Sequence, residues 1–201
     1  MLDGWARAKI DPGLAAIAGR LAAAGVGANA ITYVGLALGL AAAAAIALGA
    51  FWIGLVLILV SRLCDGLDGA VARLDGKTDL GGYLDIVLDF AFYGVVPLGF
   101  ILFDPAQNAI AGAVLLLAFY VNGASFLAYA VMAEKRGLTS EARGEKSLFF
   151  TTGLAEASET LAVFVLMCLA PQWFAVLAYL FAAVTLYTTV SRIVLAAKQF
   201  S

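Results

Sequence analysis

The sequence predicts an all-α integral membrane protein, with six transmembrane helices in one bundle and an amphipathic interfacial helix ahead of them. Of its 201 residues, 64% are hydrophobic and 13% are charged, and the mean hydropathy is +0.99. Such a hydropathy lies far above that of soluble globular domains, so the sequence excludes a soluble enzyme. A net charge of -2 leaves no basic surface for nucleic acid, and we expect no nucleic-acid partner.

The spans follow from length, because an apolar helix needs about 20 residues to cross the hydrocarbon core. Six stretches of about this length are joined by short links. They cover residues 30–50, 52–73, 80–103, 108–133, 148–170 and 172–197. We therefore expect residues 1–201 to form a single membrane domain, with residues 30–197 as a six-helix bundle.

The segment ahead of the first span, residues 1–29, is expected to lie at the membrane interface. Its apolar residues recur at helical spacing, namely Trp5, Ile10, Leu14, Ile17 and Leu21. This periodicity predicts an amphipathic helix, and a disordered tail is the alternative that it disfavours. Pro12, between Asp11 and Gly13, is expected to mark a break or a helix start.

The orientation follows from the twelve Lys and Arg residues. With the exception of Arg62, they lie near the termini, or at the connections between the second and third and the fourth and fifth spans. Cytoplasmic loops retain positive charge, so both termini are predicted to be cytoplasmic in a multi-pass protein of the cytoplasmic membrane.

The available chemistry is narrow, because the chain contains no histidine. Imidazole is thereby excluded as a base, a nucleophile or a metal ligand, and carboxylates remain for such roles. Cys64 and Cys168 both lie inside apolar runs and are predicted to be buried thiols.

Four aspartates lie inside the second and third spans, at Asp65, Asp68, Asp85 and Asp89. Each ionisable side chain at such depth costs about 2.5–3.5 kcal/mol, which makes each a functional candidate. Residues three or four apart share a helix face, so each pair points one way. From the cytoplasmic helix ends, Asp68 and Asp85 lie about 8 Å deep, and Asp65 and Asp89 about 12–13 Å deep. We expect one pocket, open to the cytoplasm, that holds Mg²⁺ or Mn²⁺.

Other roles for these aspartates remain open. They would fix helix packing by pairing with Arg62 and Arg73, although two arginines do not account for four acids. They would also suit an ion-coupled transporter, but they cluster at one end and the halves show no inverted repeat. A catalytically silent membrane scaffold is the third alternative.

Small residues accompany the acids. Gly69 and Ala72 fall on the face of Asp65, and Arg73 follows at the cytoplasmic mouth. A cleft of small residues beside the guanidinium of Arg73 favours binding of a diphosphate. Close packing of helices is the simpler explanation for the small residues.

The pattern D-x-x-D-G-x-x-A-R, then G-x-x-x-D-x-x-x-D, from Asp65 to Asp89 resembles the signature of the CDP-alcohol phosphotransferase (CDP-alcohol phosphatidyltransferase) family. Seven residues separate Arg73 from Gly81, where the family usually has eight. Asn29-Ala30-Ile31-Thr32 also resembles the family's Pro-Asn-x-x-Thr, with Ala28 in place of proline. A helix cap is the alternative role for Asn29.

The resemblance implies a metal-dependent phosphotransferase of phospholipid biosynthesis. It would transfer a substituted phosphate from a CDP-alcohol to a small hydroxyl acceptor and release CMP. CDP-diacylglycerol is the expected donor, and CDP-choline or CDP-ethanolamine with diacylglycerol is the alternative. The resemblance also suggests a homodimer that works on membrane lipid from the cytoplasmic side.

Residue roles are likewise implied by the resemblance. Asp65, Asp68 and Asp85 would hold two divalent cations, Mg²⁺ or Mn²⁺, and Asp89 would both contribute to a metal and act as the general base. The CDP part of the donor would contact Gly69, Ala72 and Arg73, together with Asn29 and Thr32.

The acceptor is expected to meet the later spans. Glu156 and Glu159 in the fifth span are candidate ligands for a polar or cationic acceptor, and Arg192 lies in the sixth. Alternatively, either glutamate pairs with Arg62 or Arg192 to fix helix packing. Lys146 would bind a phosphate-bearing acceptor, although its connection also fits the positive-inside rule.

Overall fold

The computed structural model describes the backbone of residues 2–137 and 157–200, and the side chains of these ranges from residue 13 onward. All regular structure in these ranges is helical, which confirms the predicted all-α class. In chain order the helices are α1 Leu2–Ala23, α2 Ala28–Ala47, α3 Phe51–Asp75, α4 Asp79–Phe103, α5 Pro105–Lys135, α6 Ala157–Leu169 and α7 Phe174–Phe200, with a 3₁₀ turn at Pro171–Trp173 before α7.

Four helical segments are long and apolar enough to cross a membrane by length and composition. They are Ala28–Ala47, Asp79–Phe103, Pro105–Lys135 and Pro171–Phe200. The sequence predicts two further spans. One corresponds to α3, which has 25 residues but carries the charged residues of the motif in its second half. The other, residues 148–170, lies partly outside the described residues.

Helix α1 packs along the part of α3 that carries the motif. Ala18 is fully buried in a small apolar cluster with Ile31, Ala70 and Val71. Ile17 is 49% exposed, so the packed side of α1 does not include every apolar residue of the predicted stripe. The buried side of α1 is therefore the side that faces α3, and Ala18 lies on it.

The predicted break at Pro12 is wrong, because α1 runs unbroken from Leu2 to Ala23. A proline removes one backbone hydrogen bond from a helix. Two residues later, Leu14 lies over Gly66 of α3, where an added Cβ would come within 2.9 Å of the leucine Cδ1 atom. We attribute the continuity of α1 to this support from α3.

A three-residue turn joins α3 to α4. Gly76 has φ +99°, which glycine adopts without a Cβ clash, and it ends α3. Thr78 then caps α4, since its hydroxyl accepts a hydrogen bond from the Gly81 amide at 3.0 Å. The chain therefore turns back after α3, and α2 packs against both of the helices that carry the aspartates.

The core away from the motif is apolar and aromatic. The rings of Phe51 and Phe100 have centroids 6.0 Å apart, and those of Phe100 and Phe174 lie 4.8 Å apart. Near these rings α2 and α4 approach closely, and an added Cβ at Gly99 would lie 2.6 Å from the Ala43 carbonyl oxygen. Within the described residues, the charged side chains of the bundle lie toward the other end, with the exception of Asp104, which caps α5.

Helices α5 and α7 pack against each other and form the second half of the bundle. Near the motif end, the Tyr129 hydroxyl donates a hydrogen bond to the Gln199 side chain at 2.6 Å. Cys168 on α6 is buried as predicted, whereas Cys64 on α3 is only half-buried.

Candidate active site

A pocket lies between α2, α3 and α4 at the end of the bundle that carries the motif. All four aspartates of the predicted site line it. The lining residues are Thr32, Gly35, Leu36, Ser61, Arg62, Asp65, Asp68, Asp85, Leu88 and Asp89. The turn at Gly76 and the helical spacing of each pair place these carboxylates around one space.

Arg62 lies among the carboxylates, one helical turn before Asp65. Its Nη1 atom donates a hydrogen bond to Oδ1 of Asp89 and lies 3.4 Å from Oδ1 of Asp65. The guanidinium also lies over the ring of Phe92, 3.7 Å from its centroid. The sequence left open that the aspartates fix helix packing by pairing with Arg62 and Arg73. Arg62 forms such pairs, whereas Arg73 forms no ion pair within the described residues.

Asp68 is the most deeply buried of the four aspartates, with 5% of its surface exposed. Within the described residues, its buried Oδ2 atom has no hydrogen-bond partner. The hydroxyl of Thr32 lies beside the carboxylate and donates to the Ala28 carbonyl at 3.1 Å. A buried oxygen of this kind is costly unless a cation or a donor binds it.

Thr32 is the one predicted donor-binding residue among those that line the pocket. The others lie outside its lining, and they are Asn29, Gly69, Ala72 and Arg73. An added Cβ at Gly69 would lie 3.7 Å from Nη1 of Arg73, so the exposed guanidinium folds back toward the small-residue face. Ala72 is half-buried on the same helix.

Asn29 lies at the start of α2, close to the start of α4. Its Oδ1 atom is 3.2 Å from where a Cβ would stand on Gly81. Asn29 is not the helix cap, because α2 begins at Ala28 and Gly27 occupies the cap position. The extended backbone of Gly27 starts the helix earlier than the sequence suggested.

Arg192 on α7 forms a separate polar cluster with α5. Its Nη1 atom donates to the Asn122 carbonyl and Oδ1 atoms, both at 3.0 Å, and to Ser125 Oγ at 2.6 Å. The Thr189 hydroxyl lies 3.4 Å from Oδ1 of Asn122. All of these partners are neutral, so within the described residues no carboxylate balances the charge of Arg192.

Glu159 lies in the first described turn of α6, and its buried Oε2 atom has no hydrogen-bond partner within the described residues. Within the described residues, Glu159 forms no ion pair with Arg62 or Arg192. Both arginines instead bind oxygens on α3, α4 and α5, which lie within their reach. Lys146 and Glu156 lie outside the described residues.

Comparison with known proteins identifies the family. A sequence profile described as CDP-alcohol phosphatidyltransferase matches residues 26–191, which is most of the chain. The chain belongs to the CDP-alcohol phosphatidyltransferase family. Members are phosphotransferases of phospholipid biosynthesis, so the protein is a membrane enzyme of this class and the predicted resemblance is confirmed.

The chain is also similar to a curated relative in sequence and to solved structures in fold. Inner membrane protein YnjF of Escherichia coli strain K12 is 46% identical over 193 residues, which cover 96% of this chain and 94% of YnjF. The fold resembles Mycobacterium tuberculosis phosphatidylinositol phosphate synthase (PgsA1) with CDP-DAG bound. The TM-score is 0.71 at 24% identity, over 90% of this chain and 91% of that one. PgsA1 in complex with manganese and citrate gives the same TM-score and identity over 90% of this chain and 87% of that one.

The divalent cations implied for a CDP-alcohol phosphatidyltransferase fit these residues by chemistry. Carboxylate oxygens are the ligands that Mg²⁺ and Mn²⁺ prefer, and the unpartnered Oδ2 of Asp68 is such an oxygen. In the part of the chain that the structure describes, no three acidic or thiol side chains form a ready-made metal cluster. Two of the four carboxylates, Asp65 and Asp89, are instead paired with Arg62.

Several polar residues of this transferase were not predicted as site residues. Ser61 lines the acidic pocket, where its hydroxyl donates to the Gly35 carbonyl at 2.7 Å. Asn122 and Ser125 bind Arg192 from α5. The sequence could have indicated Asn122 and Ser125, because two polar residues one helical turn apart inside an apolar span lie on the same helix face.

Proposed function

We propose that this enzyme transfers a phosphatidyl group from CDP-diacylglycerol to a small hydroxyl acceptor and releases CMP. The observation that carries the proposal is the placement of Asp65, Asp68, Asp85 and Asp89, in the family's motif, around one pocket. The fold similarity to a synthase solved with CDP-DAG bound supports the choice of donor, and the manganese complex of that synthase supports the use of a divalent metal.

The carboxylates of this pocket would hold two divalent cations, Mg²⁺ or Mn²⁺. Asp65, Asp68 and Asp85 are the proposed ligands, and Asp89 contributes one oxygen. When bound, the cations would neutralise the donor's diphosphate and act as Lewis acids on the transferring phosphoryl group. The unpartnered oxygen of Asp68 supports this assignment.

The remaining chemistry belongs to the protein's own side chains. Asp89 accepts the proton of the acceptor hydroxyl. The acceptor oxygen forms a bond to the phosphorus that bears the lipid alcohol, and the bond from that phosphorus to CMP breaks with its electron pair leaving on CMP. No covalent intermediate on the protein is needed.

Binding of the donor is assigned to the residues around the pocket mouth. Arg73 is exposed there, and a guanidinium forks onto phosphate oxygens. Gly69 and Ala72 leave room for the CDP part beside α3. Asn29 and Thr32 contact it from α2, where Thr32 already faces the pocket.

The acceptor is assigned to the side of α5, α6 and α7. Arg192 bears a charge that its neutral partners leave unbalanced, so it suits an anionic acceptor such as a phosphate ester. Lys146 would add a second cation from the connection after α5. Glu156 and Glu159 would instead bind a polar or cationic acceptor, and the acceptor panel below separates the two cases.

We further propose that the chain is one membrane domain, in which residues 30–197 form a six-span bundle and residues 1–29 lie at the interface. The protein would be a homodimer with both termini and the pocket on the cytoplasmic side. The four apolar helical segments support multiple crossings, and the inner-membrane relative supports the location in the cytoplasmic membrane.

The test is CMP release by the purified protein in detergent, with CDP-diacylglycerol and Mn²⁺ or Mg²⁺. The acceptors are glycerol 3-phosphate, serine, inositol, inositol phosphate, ethanolamine and choline. We expect one acceptor to raise the rate, the metal to be required, and Asp89→Asn to abolish release. Asp79→Asn, which changes an exposed aspartate in the first turn of α4, is the matched control and should retain the rate.

The absence of CMP release with every acceptor would contradict the CDP-diacylglycerol assignment. The same assay with CDP-choline or CDP-ethanolamine and diacylglycerol then tests the alternative donors. Release that persists in Asp89→Asn would remove Asp89 from the role of base.

A further inference from the structure

Arg62 is held at a fixed place in the acidic pocket. Only 15% of its side chain is exposed, and the face of Phe92 supports the guanidinium from below. Phe92 is itself buried, and its ring packs at 6.1 Å from that of Phe164 and at 5.7 Å from that of Tyr93. A cation stacked on a buried ring gains attraction beyond its ion pairs and loses freedom to move.

Arg62 divides the four aspartates into two pairs. Asp65 and Asp89 each have one oxygen within ion-pair distance of its Nη1 atom. Asp68 and Asp85 form no ion pair within the described residues, although they line the same pocket. The two layers predicted by depth thus differ in their ion pairs, because Arg62 pairs with both aspartates of the inner layer and with neither aspartate of the outer layer.

One guanidinium balances only part of the charge of four carboxylates. Like charges at short range oppose each other, so the pocket still attracts cations. However, a carboxylate oxygen that accepts a hydrogen bond from Arg62 has one lone-pair direction fewer for a metal, and the guanidinium repels a second cation nearby.

We infer that Arg62 is a positioning residue that competes with divalent cations for Asp89. A first cation binds on the side of Asp68 and Asp85, which form no ion pair with Arg62 within the described residues. Engagement of Asp89 by a metal requires exchange with Arg62, and the same ion pair fixes the orientation of the Asp89 carboxylate. This inference rests on the proposed metal-dependent function, and it deepens the role of that site.

The first experiment measures Mn²⁺ affinity by electron paramagnetic resonance on the full chain in detergent, with no substrate present. Arg62→Met removes the charge and retains an unbranched apolar side chain, and we expect the affinity to rise about tenfold. Arg62→Lys retains the charge and should leave the affinity near that of the unaltered protein. Arg192→Met, which removes the half-buried arginine of the separate cluster between α5 and α7, is the matched control and should leave Mn²⁺ binding unchanged.

The second experiment measures thermal unfolding in EDTA and tests whether Arg62 acts through Asp89. Arg62→Met should lower Tm by about 5 °C, because the carboxylates lose the cation among them, and Asp89→Asn should lower it less, because Arg62 keeps Asp65 as a partner. The double variant should lose less than the sum of the two. If Arg62→Met does not fold, Arg62→Gln, which also removes the charge, provides the same comparison with and without Asp89→Asn.

The outcomes separate this inference from the proposed function. Unchanged Mn²⁺ affinity in Arg62→Met, or additive losses of Tm, overturns the inference even where the unaltered protein releases CMP. A rise in affinity with non-additive losses supports it even where no acceptor gives CMP, and the proposed transfer alone then fails. Absence of Mn²⁺ binding in both proteins overturns the inference.

Discussion

Among the residues that the structure describes, two arginines lie inside the helical bundle, and they obtain their hydrogen-bond partners in different ways. Arg62 binds carboxylates on its own helix and on α4, with the face of Phe92 beneath it. Arg192 binds neutral oxygens of Asn122 and Ser125 on α5, far away in the sequence. Arg62 is thus surrounded by an excess of negative charge, whereas Arg192 forms no ion pair with a carboxylate of the described residues.

This difference indicates which ligands the two regions attract. A pocket with four carboxylates and one guanidinium retains net negative charge and attracts metal cations. A half-buried guanidinium held by neutral groups retains its whole charge and attracts an anion. Under the proposed function, the acidic pocket would hold the metals and the donor's diphosphate, and Arg192 would meet an anionic acceptor.

The largest effect is expected when the acidic pocket loses its most buried ligand. Asp68→Asn preserves the shape of the side chain and removes the charge, so we expect CMP release to fall at least about 1,000-fold. Asp75→Asn, at the exposed end of the same helix, should leave the rate unchanged. Retention of activity by Asp68→Asn would show that this oxygen holds no metal.

The second prediction concerns the unbalanced cation. Arg192→Met should lower kcat/KM for an anionic acceptor about 100-fold, because a charge-assisted hydrogen bond is lost, and should leave the KM of the donor unchanged. Steady-state CMP release with varied acceptor and varied donor measures both constants. A rise in donor KM of similar size would place Arg192 in the donor site and remove the contrast between the two arginines.

A third prediction concerns the support beneath Arg62. An added Cβ at Gly39 would lie 2.7 Å from Cδ2 of Phe92, so Gly39→Ala forces the ring to move. Such overpacking should lower Tm by about 3–6 °C. Gly94→Ala on α4 is the control, since nothing lies within 4 Å of its added Cβ, and it should leave Tm unchanged or slightly raised. Equal Tm values for the two variants would refute the role assigned to this contact.

The smallest effect is expected at the edge of the Arg192 cluster. Ser125→Ala removes one acceptor at 2.6 Å and leaves both Asn122 oxygens in place. We expect Tm to fall by about 1–3 °C, with no change in Mn²⁺ affinity. An altered Mn²⁺ affinity would mean that the two polar regions are coupled.

The sequence predicts the acidic pocket well, because its geometry is local. Spacings of three and four residues place each aspartate pair on one face, and a short turn brings the two faces together. The family motif then specifies the chemistry. The packing of α2 against both helices, which completes the pocket, does depend on distant contacts, whereas the apolar lengths predict the helical class from local sequence.

Features that depend on tertiary contacts were harder to predict. The partners of Arg192 lie up to 70 residues away in the sequence, and no helical spacing connects them. The pairing of Arg62 with Asp89 depends on a side-chain conformation that Phe92 supports from another helix. The unbroken course of α1 through Pro12 depends on contacts with α3, which outweigh the local preference.

The cap at Thr78 explains why the spacing between Arg73 and Gly81 can vary. Helix α4 begins at this cap, and the face on which Asp85 lies depends on how many residues separate it from the cap. A residue added or lost between Gly76 and Thr78 therefore changes the loop and leaves Asp85 on the same face of α4. A residue inserted after the cap would rotate Asp85 by about 100° away from its partners. Length variation is thus tolerated on one side of a single threonine and disruptive on the other.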